Sequence, residues 1–62
     1  MFYVESIDDN TIMLYPKGQD GEGQEVRVNL DGSFYLLYYN RSFYDLESIV
    51  NFLKEIKGNE NG

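Results

Sequence analysis

The clearest pattern in the chain lies at residues 24–30, QEVRVNL, where Val26, Val28 and Leu30 alternate with Glu25, Arg27 and Asn29. Alternation with period two marks a strand that has one apolar and one polar face. Residues 1–7, MFYVESI, are aromatic and β-branched around a polar break at Glu5-Ser6, and they predict another strand. Asp8-Asp9-Asn10 then reads as a tight connection, because Asp and Asn tolerate turn geometry. Residues 11–15, TIMLY, predict a second strand, closed by Pro16 at its end. Residues 17–23, KGQDGEG, hold three glycines and two acids and read as a loop. Asp31-Gly32 is a hairpin signal. Residues 34–40 follow as the fourth strand.

The pattern then changes to helical spacing. Leu46, Ile49, Val50, Leu53 and Ile56 recur at three- and four-residue intervals and form one apolar stripe. Ser42 with Asp45 resembles a capping box, and Asp45 is alternatively the N-cap itself. Asp45 and Glu47 sit near the positive end of the helix dipole, Lys54 and Lys57 near the negative end. Gly58 is the expected C-cap. The fold class is therefore α+β: a four-stranded antiparallel β-meander (ββββ) with one C-terminal helix packed on one face. Residues 1–58 form a single domain, and 59–62 a flexible tail.

The fourth strand raises a question of faces. Six of the chain's ten aromatic residues fall within residues 33–44. Phe34, Leu36 and Tyr38 alternate with Tyr35, Leu37 and Tyr39, and both sets are apolar. A two-residue turn pairs Leu30 with Ser33 and sends the second set to the core. A three-residue turn with a bulge pairs Leu30 with Phe34 and sends the first set inward. The second option is preferred, because Phe and Leu suit a core better than two tyrosines. The set Tyr35, Leu37 and Tyr39, joined by Tyr15, is then a candidate interface on the face away from the helix. Phe2 or Tyr3, and Met13 or Leu14, extend it. Exposed apolar patches of this kind mark contacts, and the sheet-to-sheet homodimer is the plain version.

Charge adds a second candidate surface. Eleven acids against five bases give a net charge of −6. Such a field repels phosphate backbones and anionic membranes, so nucleic acid is disfavoured as a partner and no membrane is expected. Asp8, Asp9, Asp20, Glu22 and Asp31 are the candidate contacts for a protein partner with a basic surface. Asp8, Asp9 and Asp31 are expected at one end of the meander. Asp20 and Glu22 are expected at the other, near the helix start.

Much chemistry is excluded. The chain has no His and no Cys, which removes Ser-His-Asp and Cys-His catalysis, disulfides and a structural zinc site. The glycine loop lacks the Lys-Ser/Thr ending of a phosphate loop, and its Asp20 and Glu22 repel phosphate. No EF-hand spacing is present. No catalytic residue, cofactor or resident metal is expected. Residues 1–7 show no basic, apolar and cleavage regions of a secretion signal, so a cytoplasmic protein is expected, in a bacterial cell or a phage-infected host.

In general character the small, acidic, Cys-free, Tyr-rich chain is similar to phage-encoded inhibitors of bacterial enzymes, including anti-CRISPR and other counter-defence proteins. That likeness implies a noncatalytic protein-binding inhibitor. The ββββα order is also similar to that of small single-strand nucleic-acid binders of the transcription-coactivator type, which implies the alternative of base stacking on the tyrosines. A structural or regulatory subunit of a bacterial or phage assembly is the remaining reading.

Overall fold

The computed structural model describes residues 2–61. They form strands β1 (Tyr3–Asp8), β2 (Thr11–Tyr15), β3 (Gln24–Val28), β4 (Phe34–Leu36) and β5 (Arg41–Phe43), and helix α1 (Leu46–Asn61). The strands lie in chain order β1-β2-β3-β4-β5, each antiparallel to the next. The class is α+β with a C-terminal helix, as the pattern predicts, but the sheet has five strands and not four.

The fifth strand arises because residues 34–43 do not stay extended. The chain turns at residues 37–40, where the Asn40 N–H donates to the Leu37 carbonyl at 3.2 Å and Asn40 has φ of +56°. Asn visits this left-handed region more readily than most residues with a side chain. It therefore ends the turn and starts β5.

The turn before β4 is the three-residue type, displaced by one residue on each strand. Val28 pairs with Phe34, so Leu30, Asp31 and Gly32 are the loop and Leu30 pairs with nothing. The Asn29 N–H donates to the Ser33 carbonyl at 2.8 Å and the Gly32 N–H to the Asn29 carbonyl at 3.0 Å. Gly32 has φ of +88°, the glycine position of a bulged three-residue hairpin. Moving the loop back one residue on each side keeps parity, so Phe34 and Leu36 do face inward with the valines. Leu30, expected in the core, stands fully in solvent.

The core follows from this register. Leu14, Val26 and Leu36 come from the sheet, and Ile49, Val50 and Leu53 from α1. Ile12, Phe34, Phe43 and Leu46 pack around them half-buried. Asp45 is the N-cap of α1: its Oδ1 accepts the Ser48 N–H at 2.7 Å. The helix continues past Gly58, the expected C-cap, to Asn61. An interior glycine costs about 1 kcal/mol but does not forbid helix, and no proline follows to stop it. The expected tail residues 59–61 thus belong to α1, and Gly62 lies outside the described residues.

Five strands also reverse an expectation about ends. An even count would start the helix beside the 16–23 loop. An odd count starts it beside the 9–10 and 29–33 turns. Asp20 and Glu22 are therefore at the end opposite the helix start, and Asp8, Asp9 and Asp31 are at the same end.

Candidate functional site

Only one face of the sheet is covered by the helix. The register places Tyr3, Tyr15, Met13, Glu5, Glu25, Arg27, Tyr35 and Ser42 on the other face, through the pairs Tyr3↔Tyr15, Glu5↔Met13, Met13↔Glu25, Arg27↔Tyr35 and Tyr35↔Ser42. The Tyr3 and Tyr15 rings lie 5.8 Å apart at 44°. The Tyr15 hydroxyl donates to Glu5 Oε1 at 3.3 Å. Partial burial, then the adjacent Glu5 carboxylate, pushes the Tyr15 phenol above its ordinary value. Gly23 lies beneath this strip, where a Cβ would come within 2.7 Å of Tyr15 Cε1 and 2.8 Å of Met13 Cγ. A glycine that read as loop flexibility is thus a space for two side chains.

The expected aromatic row is divided by the 37–40 turn. Tyr15 and Tyr35 are on the open face. Leu37 and Tyr39 are in the turn, and the Tyr39 ring meets Phe52 of α1 edge-on at 5.3 Å, on the helix side. Tyr38, expected inside, is 80% exposed. Phe52 was not on the apolar stripe of the helix; it flanks the stripe and closes the space beside Tyr39 and Phe43. The Arg41 guanidinium covers these rings, 4.7 Å from the Phe52 centroid and 5.5 Å from that of Phe43. Cation–π attraction holds it there. Among the described residues, Arg27 is then the one cation that the strand register places on the open face.

The five candidate acids divide into two groups. Asp8, Asp9 and Asp31 lie at the helix-start end, and Asp20 and Glu22 lie in the loop at the opposite end. That loop is a pair of turns, with the Gly18 N–H on the Tyr15 carbonyl at 3.2 Å and the Gly21 N–H on the Gly18 carbonyl at 3.0 Å. Two of the acids brace turns. Asp8 Oδ1 accepts the Asn10 N–H at 2.9 Å, and Asp31 Oδ1 accepts the Ser33 N–H at 2.9 Å and the Ser33 hydroxyl at 2.6 Å. Hydrogen bonds to the charged form hold both carboxyls below their ordinary range, led by the Asn10 amide for Asp8 and the Ser33 hydroxyl for Asp31. Among the described residues, no three carboxylates come together in a way that holds a metal ion.

One cleft adjoins the helix-start end. It is open, about 620 Å³, and lies between the 29–33 hairpin and residues 42–44. Leu30 and Tyr44 are among its lining residues. Sequence periodicity placed Leu30 in the core, so no signal pointed to this cleft.

No family model matches the chain, and no curated protein or solved structure matches it. Among the described residues, no helix is long and apolar enough to cross a membrane.

Proposed function

We propose that this protein is a noncatalytic protein-binding module whose partner has a basic surface. The observation that carries the reading is the open sheet face: Tyr3, Tyr15 and Met13 lie together on β1 and β2, Tyr35 stands on β4 beyond Glu25 and Arg27 of β3, and among the described residues no second layer covers them. Sheets normally bury an apolar face against another layer. Tyrosine suits contacts between proteins, having a large apolar body and a polar tip. A second copy of the chain covers this strip in the proposed homodimer, leaving the acidic turns at both ends of each sheet for the partner.

In its most specific form, supported by its likeness in small size, acidity, lack of Cys and richness in Tyr to phage-encoded inhibitors, the module is such an inhibitor, of anti-CRISPR or other counter-defence type, acting in the bacterial cytoplasm. Its carboxylates take the place of phosphates in a nucleic-acid-binding groove. The position of Arg41 weighs against the stacking alternative. A tyrosine platform for single strands needs cations alongside, and Arg41 is turned to the helix side over Phe52.

Two measurements test the proposal. Affinity capture from a nuclease-treated bacterial lysate is expected to recover one stoichiometric partner that itself binds nucleic acid. Neutralising Asp8, Asp9, Asp20, Glu22 and Asp31 to Asn or Gln is expected to abolish capture. Capture that survives neutralisation with an unchanged salt dependence refutes the acidic contact. Sedimentation equilibrium is expected to show a dimer that Tyr15→Ser with Tyr35→Ser converts to monomer; a wild-type monomer at all concentrations refutes the homodimer.

A further inference from the structure

Among the described residues, Leu30 and Tyr44 are the most exposed of the large apolar side chains, at 107% and 90%. Both line the same cleft, one from the β3–β4 hairpin and one from the segment between β5 and α1. The fold does not need either of them there. Leu30 is the first loop residue of a hairpin whose geometry is set by Gly32 and by the bonds among Asn29, Asp31 and Ser33. Tyr44 precedes the N-cap Asp45, a position that often packs against the fourth helical residue. That residue is Ile49, which is fully buried while Tyr44 is exposed, so no such packing forms.

Asn29, Asp31, Ser33, Ser42 and Phe43 complete the lining, and three of these polar side chains bond to one another. The Asn29 side-chain amide donates to Ser33 Oγ at 2.9 Å, and Ser33 Oγ donates to Asp31. Among the described residues, no buried side-chain nitrogen or oxygen lacks a hydrogen-bond partner. The cleft is open, not enclosed. An open cleft with an exposed apolar side chain from each of two segments suits a chain segment that lies across it. Charge names the segment's sign. Asp31 is the one charged residue in the lining, and no Lys or Arg lines the cleft. The topology adds Asp45 and Glu47, at the helix start, and Asp8 and Asp9 to the same end, against one nearby cation among the described residues, Arg27, on the open face.

We infer that this cleft docks an extended peptide segment of a protein partner, one that presents an apolar side chain flanked by Lys or Arg. The apolar side chain packs between Leu30 and Tyr44. The basic neighbour runs its stem along the Tyr44 ring and brings its charge to the Asp31 carboxylate. The inference rests on the protein-binding reading above and gives that module a second contact, away from the open sheet face.

The test is a titration of the full chain, labelled with nitrogen-15, with three synthetic pentapeptides: Lys-Leu-Lys-Leu-Lys, its charge-reversed Glu-Leu-Glu-Leu-Glu, and Lys-Ser-Lys-Ser-Lys. The first is expected to shift amides at 29–33 and 42–45. The other two are expected to bind at least about tenfold more weakly, the serine peptide for loss of its anchor residues and the glutamate peptide for like-charge repulsion. Leu30→Ser with Tyr44→Ser is expected to weaken the first peptide by a similar factor. It should leave the thermal midpoint unchanged, since both side chains are exposed. Shifts that map to Tyr15 and Tyr35, shifts spread over all carboxylates, equal binding of the serine peptide, or no binding at millimolar peptide each overturn the inference. The two proposals fail separately. A captured partner that binds the double variant as tightly as the wild type removes the cleft and keeps the module. Peptide binding in the cleft with no captured partner keeps the cleft and removes the module.

Discussion

Gly23→Ala separates two effects of opposite sign at a single position. In a strand-like setting, alanine is ordinarily favoured over glycine by roughly 0.5–1 kcal/mol, because glycine loses more backbone freedom on folding. Here the added methyl lies 2.7 Å from Tyr15 Cε1, 2.8 Å from Met13 Cγ and 3.1 Å from Met13 Sδ. Non-bonded carbons sit best at about 3.5–4.0 Å, so both side chains must move by up to about 1 Å. Inserting a methyl into a packed site typically costs about 1–3 kcal/mol. Crowding wins, and the expected net loss is about 1–2 kcal/mol, or on the order of 5–10 °C in Tm for a domain of this size. Urea unfolding followed by circular dichroism reads the loss directly. The same substitution made in a Met13→Ala, Tyr15→Ala background should change sign, because the methyl then has room. Displacing Tyr15 should also return its phenol toward its ordinary range, as the ring becomes more exposed and leaves Glu5. A Gly23→Ala protein as stable as the wild type would refute the reasoning, since the strip of Tyr15 and Met13 would then yield freely.

Two further outcomes follow from the turns and caps. Asn40→Ala should cost about 1 kcal/mol, because alanine pays for φ of +56° without the tolerance of Asn; Asn40→Gly should be neutral or stabilising, and denaturant midpoints of the two variants check the order. Asp8, Asp31 and Asp45 all have folded-state carboxyls held below 3.8 by hydrogen bonds, so the stability they add is present above pH 3.8 and is lost as pH falls through the folded values. Thermal melts from pH 5 to pH 2 should therefore show a fall below about pH 4 that is shallower when all three are Asn, and superimposable acid profiles would remove these bonds as contributors.

The strand and helix classes were legible because each has its own period. Val26 and Val28 alternate with charges, and Ile49, Val50 and Leu53 repeat at helical spacing; all five are core-facing or helical as the pattern says. Pro16 and Asp45 were legible because each has one chemical preference, a strand end and a helix cap. What alternation does not encode is where it stops. Leu30 continues the valine series in sequence, yet the hairpin closes one residue earlier on each side because Asn29, Asp31 and Ser33 bond to one another and Gly32 supplies the left-handed residue. Residues 34–39 are apolar without a break, so hydropathy gives no reason to turn at Leu37. The reason is Asn40, a single residue. Phe52 was missed because it lies beside the helical stripe, and only Tyr39 and Phe43, delivered by that same turn, give it a surface to cover.

The turn at Asn40 also decides how the acidic residues can act. Without it, four strands would bring the helix start to Asp20 and Glu22. With it, the helix start joins Asp8, Asp9 and Asp31, and the two acidic groups are separated by the length of the strands. Strands of five residues span about 17 Å at roughly 3.3 Å per residue. Groups this far apart share no hydrogen-bond partner, and effects at such distances add. One partner surface must therefore be basic over at least that length to use both groups. A partner segment seated in the cleft between Leu30 and Tyr44 reaches only the first group. Neutralising Asp20 and Glu22 then leaves binding intact, while neutralising Asp8, Asp9 and Asp31 weakens it. A groove built for a nucleic-acid backbone is long enough for both, and the two neutralisations then weaken binding separately and additively. The single fold change at Asn40 thus turns a list of five acids into two distinguishable footprints, one for a short basic segment and one for an extended groove.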